Sequence, residues 1–252
     1  MKNRTIFADQ GGFTLLEMML AVCISGIAMA GIYQTFEYQQ RSYLKQEEVV
    51  EMQQGIRAGQ YYLKKDMRMA GFDPMMMADS VITIATATDM QFEMDIDFDE
   101  SIDTSSDIAQ PEIVRYLLYA DWAGGNNLVR VYGNAYEGDS LYQQVVAENV
   151  EALEFCYVLD DGSATTDPLD TSDIRSVIVT LLTRSNQTIK NYVNDNTYVP
   201  ASVNENLTPV WSGNSAVNRP NAEWGPYNDG FRRQFLVTKI RCRNMGLNPF
   251  AD

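Results

Sequence analysis

The chain has 252 residues, 45% of them hydrophobic, which is enough for one sizeable core in one or two domains. Its net charge of −15 repels phosphate backbones, so we expect no nucleic-acid partner. It contains no histidine, which excludes Ser-His-Asp and Cys-His catalysis and every histidine-ligated metal site. We therefore expect no enzymatic activity and no cofactor.

The first predicted element is an apolar helix near the N-terminus. No charged residue occurs from Met18 to Phe36, a run that spans about 28 Å as a helix and nearly matches the ~30 Å hydrocarbon core of a bilayer. Lys2 and Arg4 precede the run, which favours a cytoplasmic N-terminus. We expect one membrane crossing, with the rest of the chain on the outer side.

A carboxylate, Glu17, stands directly before this run. An ionised side chain among lipid tails is unfavourable unless it is paired. A secretory signal is an alternative interpretation, because Ala28-Met29-Ala30 has the small-x-small form of a signal-peptidase site. The product would then be a secreted acidic binding protein or enzyme cleaved after Ala30. Glu17 and the length of the run argue against it.

The helical pattern continues beyond the apolar run. Apolar or small residues recur at spacings of three and four from Val49 to Ala70, as on one face of an amphipathic helix. Gly71 and Pro74 indicate its end. The sequence therefore predicts a long helix over 13–71, whose first part, 13–36, is transmembrane and whose second part packs on a globular domain.

The globular domain, 72–252, carries short β-type runs separated by turn signals. No helical pattern separates successive runs, so antiparallel pairing and an α+β fold are expected. The predicted strands are Val81–Thr86, Met90–Ile96, Glu112–Tyr119, Leu128–Tyr132, Ala152–Leu159, Ile174–Arg184 and Gln234–Arg243.

An Asn-rich segment over 186–230 shows no periodicity and carries Trp211 and Trp224. It is either an irregular extension packed on the domain, which we favour, or a contact surface for another protein. Two of the three cysteines, Cys156 and Cys242, lie in predicted strands. They are a candidate disulfide outside the cytoplasm, or two buried thiols.

Two acidic loops are weak candidates for a calcium site. Carboxylate oxygens suit Ca²⁺, but the first loop fails the EF-hand pattern, with Glu100 at the sixth position and Ser106 at the twelfth. We therefore favour solvated surface loops and expect no metal. The candidate ligands are Asp95, Asp97 and Asp99 in the first loop and Asp160 and Asp161 in the second.

The stretch GGFTLLE, Gly11 to Glu17, resembles the type IV prepilin signature: a short basic leader ending in glycine, then phenylalanine, then an apolar helix with glutamate as its fifth residue. The resemblance implies a leader peptide of residues 1–12, which prepilin peptidase removes between Gly12 and Phe13, and methylation of the new Phe13 amine. It also implies that Glu17 of one subunit meets the Phe13 amine of a neighbour during assembly.

Looser stretches resemble PilW-type minor pilins in the same chain order. They are Met67–Phe72, with its R-x-A-G-aromatic helix ending, Val150–Tyr157, Ile174–Ser185 and Arg241–Asn244, with a closing R-x-R-N. The J-type minor pseudopilins of type II secretion have a similar layout and stay an alternative.

The resemblance implies a minor pilin of the type IV pilus that helps to prime assembly or form the tip complex. Its implied partners are other major and minor pilins, contacted through the N-terminal helix, prepilin peptidase and the inner membrane. The implied location is the bacterial inner membrane, with one crossing and a cytoplasmic N-terminus, then the periplasm and the extracellular pilus.

Overall fold

The computed structural model of the chain describes residues 12–103, 111–120, 126–133, 143–190, 192–203 and 223–246. Most of the leader expected over 1–12 lies outside the described residues. The chain divides into two compact units, with the boundary between Glu47 and Glu48. Helix α1 (Leu15–Met67) extends through this boundary.

The first unit consists of the N-terminal part of α1. An 18-residue window of the helix has a mean hydropathy of 2.1, and none of that window is buried. Its large apolar side chains are exposed, among them Leu16, Ile27 and Phe36. By length and composition this segment can cross a membrane, as expected from the sequence.

In the second unit, the C-terminal part of α1 packs on the sheets. Ile56, Gly59, Leu63 and Met67 are buried at helical spacing, which matches the predicted apolar face. The helix ends at Met67, followed by turns up to Gly71, which has a φ of 72°. A positive φ suits glycine, which has no Cβ, at a helix terminus.

Five antiparallel strands form the first sheet, in the order β1-β2-β3-β4-β5. Each strand is hydrogen-bonded to the next along the chain, so the sheet is a meander. The strands are β1 (Ile82–Ala85), β2 (Asp89–Glu93), β3 (Ile113–Ala120), β4 (Asn126–Tyr132) and β5 (Gln143–Ala147).

Four further strands form the second sheet, in the order β7-β6-β8-β9, and all of its pairs are antiparallel. The strands are β6 (Val150–Leu159), β7 (Ala164–Thr165), β8 (Ile174–Arg184) and β9 (Arg233–Arg241). The predicted α+β class with antiparallel pairing is confirmed. The seven predicted strands are present with shifted ends, except that β8 has the predicted bounds, and β5 and β7 were not predicted.

One hydrophobic core joins the helix to both sheets. It contains Leu63 and Met67 of α1, Phe92 of β2, and Phe155 and Tyr157 of β6, all at most 1% exposed. Burial of this apolar surface supplies the main free energy that holds the helix on the sheets.

The Asn-rich segment is packed where it is described. Ala201 is fully buried in a small cluster with Cys156 and Ile178, on the other face of the second sheet. The Ser202 amide donates to Glu154 Oε1 at 2.9 Å. These contacts agree with the packed extension favoured from the sequence. Residues 204–222, including Trp211, lie outside the described residues.

Cys156 and Cys242 do not form the candidate disulfide. Cys242 packs in the main core with Phe155 and Tyr157, whereas Cys156 points to the opposite face of the sheet. Successive side chains of a strand alternate between faces, so the register of β6 separates the two thiols. Both are free and buried, and burial raises the pKa of each thiol to about 12.

Candidate functional site

The candidate processing and docking segment comprises Gly12 to Glu17. A capping box starts α1 there. The Glu17 amide donates to Thr14 Oγ1 at 3.2 Å, and Glu17 Oε2 accepts from the Thr14 amide at 2.9 Å. The Thr14 hydroxyl also donates to Glu17 Oε2 at 2.9 Å. This reciprocal arrangement satisfies amide groups that the first helical turn leaves without partners.

Sequence reasoning identified Glu17 but missed its bond to Thr14. The signal was present, because Thr14 and Glu17 stand three residues apart directly before an apolar run, which is the capping-box pattern. The box gives Glu17 a function within its own helix, beside any function between subunits.

The ionic partner of Glu17 is not found within the described part of the chain. Its carboxylate is exposed, and none of the ion pairs among the described residues involves it. Phe13, which would carry the new amine, is 86% exposed. Both groups are therefore accessible to a neighbouring molecule.

Gly12 is not required by the fold of the described residues. A Cβ built on it would meet nothing within 4 Å, and its φ lies outside the left-handed range. The described structure therefore gives no packing or conformational reason for a glycine at this position.

The structure brings together one of the two acidic groups proposed from the sequence. Asp95, Asp97 and Asp99 each place a carboxylate oxygen within 4.8 Å of the other two. Asp160 and Asp161 join no such group among the described residues. Asp160 instead lies 3.9 Å from the Arg175 guanidinium, and Asp161 accepts from the Ser163 amide at 2.7 Å.

A buried ion pair at the end of α1 was not predicted from the sequence. Asp66 Oδ2 accepts from Arg130 Nε and from the Tyr116 hydroxyl, each at 2.5 Å. Burial, and then the charge of Asp66, raise the pKa of Tyr116 well above its usual value, so the phenol stays a donor. Asp66 interrupts the apolar face of the helix, and its partners lie 50 and 64 positions away, which no local pattern could indicate.

Comparison with known proteins supports the N-terminal interpretation. Residues 8–33 match the family model described as the prokaryotic N-terminal methylation motif. Among solved structures, a type IV-like pilin from Thermus thermophilus is similar at 14% identity and a TM-score of 0.48, covering 76% of this chain and 96% of that one. No curated protein matches the chain.

The methylation motif occurs here with one long N-terminal apolar helix and antiparallel sheets. The PilW-type subgroup stays a prediction. The resemblance to type IV pilin-type proteins is confirmed by the N-terminal motif, which the chain carries on the fold class expected for such proteins.

Proposed function

We propose that the protein is a minor pilin, processed at its N-terminus and incorporated into a type IV pilus through helix 13–36. The observation that carries this proposal is the exposed Glu17 carboxylate, which lacks a cationic partner within the described residues and stands at the start of an apolar helix. Such a charge favours a complex in which a neighbour supplies the cation.

Cleavage between Gly12 and Phe13 creates that cation. The new amine lies four residues before Glu17, hence at nearly the same depth in the membrane. Each charge is unfavourable alone in a medium of low dielectric constant, and the pair is compensated only when two subunits dock in register. The charge pair thereby makes assembly specific for one axial position.

The precursor is inserted in the bacterial inner membrane with its N-terminus in the cytoplasm. After processing by prepilin peptidase it joins other major and minor pilins in a priming or tip complex, in the periplasm and then outside the cell. The large globular domain favours a low-copy position over the repeated one of a major pilin.

The alternative is a J-type minor pseudopilin of type II secretion. It would use the same pair of Glu17 and N-terminal amine, but in a secretion apparatus and not in a pilus. A strain lacking this gene distinguishes the two. Loss of pili that the gene restores supports the proposal, whereas loss of secretion with normal pili supports the pseudopilin.

The first experiment is the intact mass and N-terminal sequence of the mature protein. We expect a chain that begins at Phe13 and is heavier than its sequence by one methylene group, with processing dependent on prepilin peptidase. An unmodified chain that begins at Gly31 supports the secretory signal and overturns the proposal.

Substitutions at Glu17 separate its charge from its capping function. Glu17→Gln retains an acceptor for the Thr14 amide but removes the charge. We expect this variant to be cleaved normally and to be recovered in sheared pili at less than a tenth of the wild-type level. Quantitative immunoblotting of sheared and cell-bound fractions measures both properties.

Thr14→Ala is the matched control. It removes the hydroxyl of the capping box but leaves the Glu17 charge in place. Its incorporation should stay within about fivefold of wild type, since a lost N-cap costs only ~1 kcal/mol. Normal incorporation of Glu17→Gln together with failure of Thr14→Ala would show that capping, and not ionic pairing, is the assembly determinant.

A further inference from the structure

The loop that follows β2 is fixed at its start by the residues after α1. The Asp95 amide donates to the Phe72 carbonyl at 2.7 Å, and Met94 forms a parallel bridge with Phe72. The Phe98 ring packs edge-on against the Phe72 ring, with centroids 6.2 Å apart. The loop is therefore joined to the end of the helix by both backbone and side-chain contacts.

Glu112 holds the same loop from the inside. It is 2% exposed, and its carboxylate accepts from the amides of Ile96 at 2.9 Å, Asp97 at 3.4 Å and Asp103 at 2.7 Å. Because these three amides satisfy the buried Glu112 carboxylate with hydrogen bonds, its burial has a structural explanation.

One of the two carboxylate oxygens of Asp95 has no hydrogen-bond donor of this kind. The residue is 0% exposed, and its Oδ1 accepts from the Phe98 amide at 2.7 Å. Its Oδ2 is buried and has no hydrogen-bond partner within the described ranges of the chain. A buried carboxylate oxygen without a partner is costly, and it is rare in folded proteins unless water or an ion satisfies it.

The neighbouring carboxylates raise that cost. One oxygen each of Asp95, Asp97 and Asp99 lies within 4.8 Å of the other two, so three negative charges repel one another at short range. Asp97 and Asp99 are exposed, and each uses Oδ1 to accept an amide two residues further on. The second oxygen of each accepts no hydrogen bond from the described residues.

We propose that Asp95, Asp97 and Asp99 bind one calcium ion. The ion would coordinate one carboxylate oxygen of each aspartate, with the unpartnered Oδ2 as the expected ligand from Asp95. It would offset two of the three negative charges and complete its shell with water from the exposed side. Hard oxygen ligands at an irregular, solvent-facing loop suit Ca²⁺ better than Mg²⁺, which requires near-ideal octahedral geometry. This inference does not depend on the pilin assignment.

One residue of the described loop has a backbone conformation that also occurs in EF-hand calcium loops, although the sequence is not that of an EF-hand. Glu100, one position after the third aspartate, has a φ of 70°, where an EF-hand places its glycine. Glu100 thus pays the strain of a left-handed conformation that glycine would adopt freely. With three protein carboxylates, we expect weak binding, on the order of 10⁻⁴–10⁻³ M, as in extracellular calcium modules.

The test uses the full-length protein in nonionic detergent, stripped of divalent ions with EGTA and titrated with calcium chloride by isothermal calorimetry. We expect one ion per chain, with magnesium chloride at least tenfold weaker. Absence of binding at about 10 mM calcium, well above the expected range, would overturn the proposal, as would equal affinity for magnesium.

Asp99→Asn and Asp170→Asn form a matched pair. Each aspartate is exposed and accepts a serine amide two residues further on at 2.9 Å, but only Asp99 belongs to the cluster. We expect Asp99→Asn to weaken calcium binding at least tenfold and Asp170→Asn to leave it unchanged. Equal effects of the two substitutions contradict the site.

We expect the Asp95→Asn substitution to change the unfolding temperature in opposite directions with and without calcium. Without calcium the variant should unfold at a higher temperature than wild type, because a buried charge is gone, whereas at saturating calcium wild type should unfold at the higher temperature. A variant that is less stable than wild type by the same amount in both conditions would indicate a purely structural carboxylate.

Discussion

At the scale of single residues, Arg233 shows how the described part of the Asn-rich segment is held. Its side chain is fully buried. Nη2 donates to Glu151 Oε1 at 2.9 Å and to Asp229 Oδ2 at 2.7 Å, and the guanidinium carbon lies 3.8 Å from the centre of the Tyr227 ring. One cation therefore joins β6, β9 and the residues before β9.

Replacement of Arg233 by alanine should be strongly destabilising, because it leaves Glu151 and Asp229 without their cation. We expect a loss of about 3 kcal/mol in the free energy of unfolding, measured by urea denaturation of the full-length protein in detergent. Arg233→Lys should recover only part of the loss, since an ammonium cannot form the bidentate pairs.

The adjacent Arg232 is the control. Its side chain is exposed and lies over the Tyr192 ring at 5.5 Å. Arg232→Ala should change the free energy of unfolding by less than about 0.5 kcal/mol. Similar losses for Arg232→Ala and Arg233→Ala would show that the buried pairs do not stabilise the fold.

At the scale of elements, α1 approaches the first sheet closely at one glycine. A Cβ built on Gly59 would lie 3.3 Å from the Ala147 Cβ of β5, whereas a Cβ on Gly55, one turn earlier, would meet nothing within 4 Å. The two glycines lie in the same helix, but only Gly59 is packed against a strand. Substitutions at the two positions therefore distinguish the effect of close packing from that of helix propensity.

Leucine at these two positions should have opposite effects. We expect Gly59→Leu to lose about 1–3 kcal/mol of stability through overpacking against β5. Gly55→Leu should gain up to about 0.8 kcal/mol, because leucine is the better helix former. Urea denaturation of both variants measures the difference, and equal effects would contradict close approach at Gly59.

The elements that the sequence predicted are those with a local signal. Strand β8 (Ile174–Arg184) contains the unbroken β-branched and apolar run Val177–Thr183, and its bounds were predicted correctly. Strand β5 begins with two glutamines, which look like a loop. Its Gln144 is accommodated by tertiary contacts, since its amide oxygen accepts from the Tyr132 hydroxyl at 2.7 Å, and such contacts leave no trace in the local pattern.

In the candidate site, too, the sequence predicted the residues that have a local signal and could not predict those that depend on tertiary contacts. Gly12, Phe13 and Glu17 lie within a few positions, so one short motif identified them. The three loop aspartates were noticed, but the burial of Asp95 depends on Phe72 and Glu112, which lie far from it along the chain. Sequence spacing could therefore propose the cluster and could not show that one oxygen is buried and unpartnered.

At the scale of the whole molecule, the two units differ in what their surfaces require. Residues 48–252 contain every helix residue of the hydrophobic core, the first being Ile56. The large apolar side chains of residues 13–44 are exposed. The first unit therefore requires lipid or neighbouring helices, and the second contains its own core.

A shortened chain of residues 48–252 should remain folded and become independent of detergent. We expect a monomer by light scattering and a near-UV circular dichroism spectrum like that of the full-length protein in detergent. The reason is that the described residues among those removed, 12–47, contribute no buried core side chain. Aggregation, or loss of the near-UV signal, would show that the second unit needs the first.

The capping box at Thr14 and Glu17 has a consequence for the order of events in the membrane. Both of its residues follow the expected scissile bond, and the backbone nitrogens it engages belong to Thr14 and Glu17 and not to Phe13. Proteolysis and methylation should therefore leave the opening turn of the rod intact. Only one carboxylate oxygen, Oε2, is engaged in the box, so the other is free to receive an ammonium group without unwinding of the helix. If the proposed function holds, we expect a cleaved subunit to need no refolding of this turn before it assembles.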